Sequence, residues 1–104
     1  TQNNNMTTEK ERDAGESIFI GGKPLMNYVT SITLLFDKES SEITIKARGK
    51  FISKAVDVAE VTRKKSKKEN DISIGNISIG SEEFKNEEGK NVNVSTIEIT
   101  LKKE

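Results

Sequence analysis

The sequence predicts an α/β protein, an α+β two-layer sandwich in the order β-α-β-α-β-β with a protruding β-hairpin arm. Three observations predict it. Two segments with apolar residues at helical spacing are each preceded by a short run of strand character. Glycines stand where the period changes. The last third of the chain reads as strand throughout, and its apolar phase slips twice.

The first strand covers residues 17–20 and ends at Gly21 and Gly22. Pro24 then suits the first position of a helix, where a missing N–H costs nothing. Leu25, Tyr28, Val29, Ile32 and Phe36 fall on one helical face, and residues 37–41 form a polar turn. Ile43 and Ile45 alternate with polar neighbours, giving a second strand over 42–47. Gly49 marks a break. Ile52, Ala55, Val56, Ala59 and Arg63 share a face of a second helix reaching about Lys68, whose basic last turn complements the helix dipole. Ile72 and Ile74 share one parity, Ile77 and Ile79 the other, so a bulge is expected at Gly75 and Asn76. The same slip between Val94 and Ile97 predicts a second bulge. Between these strands, residues 84–91 form a polar tip with Gly89 available for positive φ.

The chain has 104 residues, which is one domain on size grounds. Residues 1–16 have no apolar periodicity and net charge −2, and read as a disordered tail; the folded domain spans 17–104. Met6 reads as a natural start, with residues 1–5 added ahead of it. Apolar residues make up 32% and charged residues 33%, a thin supply for a core, which sharing apolar faces in a homodimer would supplement. There is no cysteine and no histidine, which removes disulfides, thiolate metal sites and the commonest general base. Asp57 and Glu60 lie three apart on the second helix with no partner of that kind, and Ser53 has no base. The sequence therefore argues against an enzyme, and for no metal and no cofactor. No apolar run approaches the ~18 residues of a membrane span, and no signal peptide is visible, so the expected location is cytoplasmic.

Charge is the functional clue. The whole chain is neutral, with 17 basic and 17 acidic residues, yet between Lys46 and Lys68 nine Lys/Arg face only Asp57 and Glu60. A field of that sign suits a polyanion. Within it, Lys46-Ala47-Arg48-Gly49-Lys50 stands where a strand gives way to a helix, a place that attracts phosphate. A solvated basic helix start accounts for the same residues, and the motif alone leaves both readings open. Ile20-Gly21-Gly22-Lys23-Pro24 is neither a Walker loop nor a dinucleotide fingerprint; if it meets phosphate, it does so through its amides and Lys23. Lys85 and Lys90 lie in the arm among Glu82, Glu83, Glu87 and Glu88.

Taken together, the segments Ile20-Gly-Gly-Lys-Pro-Leu-Met-Asn-Tyr-Val29, Glu42-Ile-Thr-Ile-Lys-Ala-Arg-Gly-Lys50, Ile52-Ser-Lys-Ala-Val-Asp57, Ile79-Gly-Ser81 and Val94-Ser-Thr-Ile-Glu-Ile99 resemble the Alba family of archaeal chromatin proteins. The resemblance runs from about Ile18 to Lys103. It implies a fold similar to the C-terminal domain of translation initiation factor 3. It also implies a chromosome-associated homodimer that binds double-stranded DNA with little sequence preference, coating or compacting it, and, in many members, RNA. By position, Lys23, Arg48, Lys50 and Lys54 match the family's basic contacts, Asn27 and Tyr28 lie close to that surface, and Lys85 and Lys90 lie in the arm. Most of these would be phosphate contacts, which position the protein without reading sequence. A primary role in RNA processing or stabilisation is the alternative, and a scaffold that has lost most nucleic-acid binding is a third. Three departures are visible. Gly22 stands where members often carry the first of two lysines, the one that is acetylated in some. Ser66 stands where many carry an aromatic that packs dimer against dimer, so weaker dimer–dimer contact is expected. The neutral overall charge predicts modest affinity at physiological salt.

Overall fold

In a computed structural model, residues 16–38, 40–65 and 71–103 are described. Of the tail expected over 1–16, residues 1–15 lie outside the described residues, as do Ser66 and the expected helix end at Lys67 and Lys68, whereas Glu16 opens the first strand. The order is β1 (Glu16–Phe19), α1 (Leu25–Lys38), β2 (Glu42–Arg48), a 3-10 turn (Gly49–Phe51), α2 (Ile52–Lys65), β3 (Ile72–Lys85) and β4 (Asn91–Lys103). This is the β-α-β-α-β-β order that the apolar periods predict. The strands form one mixed sheet in the order β1-β2-β4-β3. β1 runs parallel to β2, as a helical crossover requires, and the other pairs are antiparallel.

Both helices cover one face of the sheet. Val29, Ile32 and Phe36 of α1 and Ala55, Val58 and Ala59 of α2 bury against Ile43, Ile45, Ala47, Ile97, Ile99 and Leu101. On the other face of β2 and β4 stand Thr44, Lys46, Glu98 and Thr100, which are partly or fully exposed. That explains the strict alternation of β2, whose burial changes at every residue.

Boundaries shift where local bonding outweighs pattern. Pro24 lies one residue before α1, its carbonyl accepting from the Asn27 amide. α1 runs on through Asp37 and Lys38, and the Lys103 ammonium bonds the Phe36 carbonyl in its last turn. Gly49 has φ +56, which a side chain strains to adopt, and a Cβ there would lie 3.0 Å from Val94 Cγ2. The expected bulge at Gly75 and Asn76 is present: pairing steps from Ile74 opposite Leu101 to Ile77 opposite Ile99.

The second expected bulge is absent. β4 pairs in unbroken register with β2 from Thr96 to Lys102 and with β3 from Asn91 to Ile99, so nothing is inserted between Val94 and Ile97. The sequence slip there records a change in which face is covered. Ile97, Ile99 and Leu101 sit under the helices, whereas Val92 and Val94 are half-buried on the opposite face of the arm. The arm tip is shorter than predicted, because β3 continues through Lys85 and β4 starts at Asn91. Asn86 closes the turn, its Oδ1 accepting from the Glu88 and Lys90 amides at 2.9 and 3.0 Å. Gly89 supplies φ +82. Strands of this length span about 43 Å at ~3.3 Å per residue, most of the 51 Å long axis.

Candidate nucleic-acid interface

The sheet gathers the loop after β1 and the turn after β2 at one end, because β1 and β2 run parallel and stop together. Lys23 comes from the first of these segments, Arg48 and Lys50 from the second, and Lys54 from the first turn of α2. Lys50 and Lys54 both approach the Phe51 ring, at 5.5 and 5.9 Å from its centre. Lys54 also lies 5.7 Å from the centre of the Tyr28 ring. Lys23, Asn27 and Tyr28 line one side of a groove shared with Ile18, Thr30 and Ser31. Of the residues that the sequence singles out, Lys23, Asn27, Tyr28, Arg48, Lys50 and Lys54, with Gly22 of the glycine loop, therefore belong to one end of the molecule.

Lys85 and Lys90 do not join them. Lys85 pairs with Asn91, five residues along β4 from the Thr96 that faces Arg48. At ~3.3 Å per residue that is about 17 Å away along the arm. Lys85 and Lys90 thus sit at the tip, with Glu87 and Glu88 in the turn between them.

The glycine loop differs from the sequence expectation in one respect. Its amides do not all face outward for a phosphate. The Gly21 and Lys23 N–H groups donate to the Tyr28 hydroxyl, at 2.9 and 3.2 Å. The Lys54 ammonium donates to the Gly21 carbonyl at 2.9 Å and to the Lys23 carbonyl. Burial alone would raise the Tyr28 pKa, but the amide bonds from Lys23 and Gly21 and the charges of Lys54 and Lys23 hold it below its ordinary 10.0. The hydroxyl oxygen acts here as an acceptor.

Two features escape sequence reasoning. Arg48 reaches across β4 to Glu82 on β3, with Nη1 2.9 Å from Oε1. Both side chains are more than half exposed, so the pair holds weakly and is open to exchange. A bulge in β3 fixes which face Glu82 takes, and the two residues are 34 apart in the chain. No local pattern carries that signal. Beside it, Lys46 lies 5.7 Å from the centre of the Phe19 ring, which is 70% exposed.

Residues 16–81 match the family model described as Alba. The chain is 49% identical over 86 residues to "DNA/RNA-binding protein Alba" of Methanocella arvoryzae, covering 83% of this chain and 88% of that protein. It is 45% identical over 91 residues to "DNA/RNA-binding protein Alba 1" of Archaeoglobus fulgidus, covering 88% and 99%. Among solved structures it is similar to Alba from Thermoplasma volcanium, with TM-score 0.74 and 48% identity over 83% of this chain and 98% of that one.

Proposed function

Since the chain belongs to the Alba family, we propose that it is a non-enzymatic nucleic-acid-binding protein. Its ligand is double-stranded DNA, held through the backbone with little regard to sequence. The observation that carries this reading is the convergence of Lys23, Arg48, Lys50 and Lys54, from three separate segments, at one end of the sheet. A cluster of cations with no histidine, cysteine or catalytic pairing beside it suits a polyanion. The arm leaves the body from this same end, beside Arg48, and its length suits reaching along a duplex.

The working unit is a homodimer that coats or compacts DNA on the chromosome. β3 supports the dimer: it is an edge strand of 14 residues carrying exposed Ile77, Ile79 and Phe84. Bare edges with apolar side chains call for a partner.

Relatives whose names carry both DNA and RNA favour a second reading, a primary role on RNA. A wide cationic surface accepts either backbone. Fluorescence anisotropy with a duplex DNA and the same sequence as duplex RNA, from ~50 to ~300 mM salt, separates them. The expected result is DNA binding that weakens steeply with salt. Tighter binding to the RNA would transfer the function there. No binding to either at the lowest salt would leave only a scaffold role.

A further inference from the structure

We propose that Tyr28 and Lys54 are positioning residues for nucleic-acid binding: they latch loop 21–24 in place so that Lys23 meets phosphate, and neither takes a phosphate itself. The inference rests on the nucleic-acid reading above and assigns different roles within it.

The loop would otherwise be poorly defined. Two adjacent glycines give it wide backbone freedom. Ordering such a segment on binding costs affinity, whereas a loop already ordered avoids that cost. Here two side chains from two different helices fix it beforehand. Tyr28, on α1, accepts both the Gly21 and Lys23 amides on one oxygen. A phenol oxygen has two acceptor positions, and both are taken. Lys54, on α2, donates to the Gly21 and Lys23 carbonyls. The same two loop residues are thus held from both sides, amides by the tyrosine and carbonyls by the lysine. The ammonium further lies over the Tyr28 and Phe51 rings.

An ammonium has three donors, and two of Lys54's are spent on carbonyls. One donor remains, but moving the ammonium outward to a phosphate would break the other two bonds and release the loop. The Lys23 ammonium makes no such bond among the described residues, and its backbone is the very part being held. The lowered pKa of Tyr28 agrees with an oxygen surrounded by donors and cations.

The salt dependence of binding distinguishes the two roles. Each neutralised phosphate contributes about 0.9 to the slope of log affinity against log salt, whereas a residue that only positions another shifts affinity and leaves the slope alone. The full-length chain would be titrated with duplex DNA as wild type, Tyr28→Phe, Lys54→Met and Lys23→Gln. Tyr28→Phe and Lys54→Met are expected to weaken binding about five- to tenfold at unchanged slope, and Lys23→Gln to lower the slope by about 0.9 per subunit. A slope reduced by the same amount in Lys54→Met, or full affinity in Tyr28→Phe, overturns the latch. A wild type that binds no duplex removes the nucleic-acid reading and the latch with it. Tyr28→Phe keeps the ring, so a second readout stands even if Lys54→Met does not fold. The Gly21 and Lys23 amides should exchange slowly in wild type and quickly in Tyr28→Phe, and equal rates would sink the proposal.

Discussion

Thr62 is fully buried on the inner face of α2, and its hydroxyl has no partner among the described residues. An unpaired buried hydroxyl costs about 1–3 kcal/mol. Valine has nearly the same shape and lacks that oxygen. Thr62→Val should therefore raise stability by about 1 kcal/mol, which for a domain of this size moves the melting midpoint by about 4–8 °C. A lower midpoint would show that the hydroxyl is satisfied. On the outer side of the same helix, Arg63 grips Glu60 with two bonds, at 3.0 and 2.7 Å. The hydrogen bond with Arg63 chiefly, and the charges of Arg63 and Lys64, hold the Glu60 carboxyl below its ordinary 4.5 against the opposing effect of burial. A carboxyl with a lowered folded pKa stabilises fully above its unfolded value and loses that contribution as pH falls through the folded one. The gap in melting midpoint between wild type and Glu60→Gln should thus be present above pH 4.5 and close in stronger acid. A gap that widens on acidification would reverse the sign of the linkage.

The elements meet where the arm joins the body, and there Arg48 of β2 is paired with Glu82 of β3. A phosphate reaching Arg48 would compete with the Glu82 carboxylate for the guanidinium, and the exposed pair gives way at modest cost. Glu82→Gln removes the competitor and one negative charge. Duplex affinity should rise several-fold at low salt, with the slope steeper by up to about 0.9 per subunit as Arg48 engages a phosphate. Weaker binding in this variant would mean that the pair serves to aim the arm. This junction also marks how far sequence reaches. The order of the elements was legible because helical and strand periods alternate cleanly, and the β3 bulge was legible because Ile74 and Ile77 change parity around Gly75 and Asn76. Lys23, Arg48, Lys50 and Lys54 were legible as candidate contacts through charge and family resemblance. The Val94 to Ile97 slip misled, because parity alone does not distinguish an inserted residue from a change in which face is covered. The bonds from Tyr28 and Lys54 to the loop were not legible, since they depend on α1 and α2 converging on one backbone segment.

At the scale of the whole molecule, the open question is what covers β3. It is the edge strand of the sheet among the described residues, and past Ile74 every residue of the strand is exposed. Ile77 and Ile79 pair with Ile99 and Ile97 and so point to the helix-bearing face. They lie beyond the reach of the helix layer, at 55% and 82% exposure. A chain with only 32% apolar residues loses much by leaving two isoleucines in water. A second copy meeting this one along β3 would bury them and would place two arms and two basic ends in one particle. The expected sedimenting mass is then twice the 11.6 kDa of the chain. Ile79→Glu would put a buried charge on each side of that contact, close to its symmetry mate. It should sediment as a monomer near 11.6 kDa, retain its helical signal, and bind duplex DNA more weakly and with a shallower salt slope, because one particle then neutralises fewer phosphates. If Ile79→Glu remains dimeric, the contact lies elsewhere on the surface. If wild type itself sediments at 11.6 kDa at micromolar concentration, the edge of β3 is bare in solution and the charged residues of the arm alone protect it from aggregation.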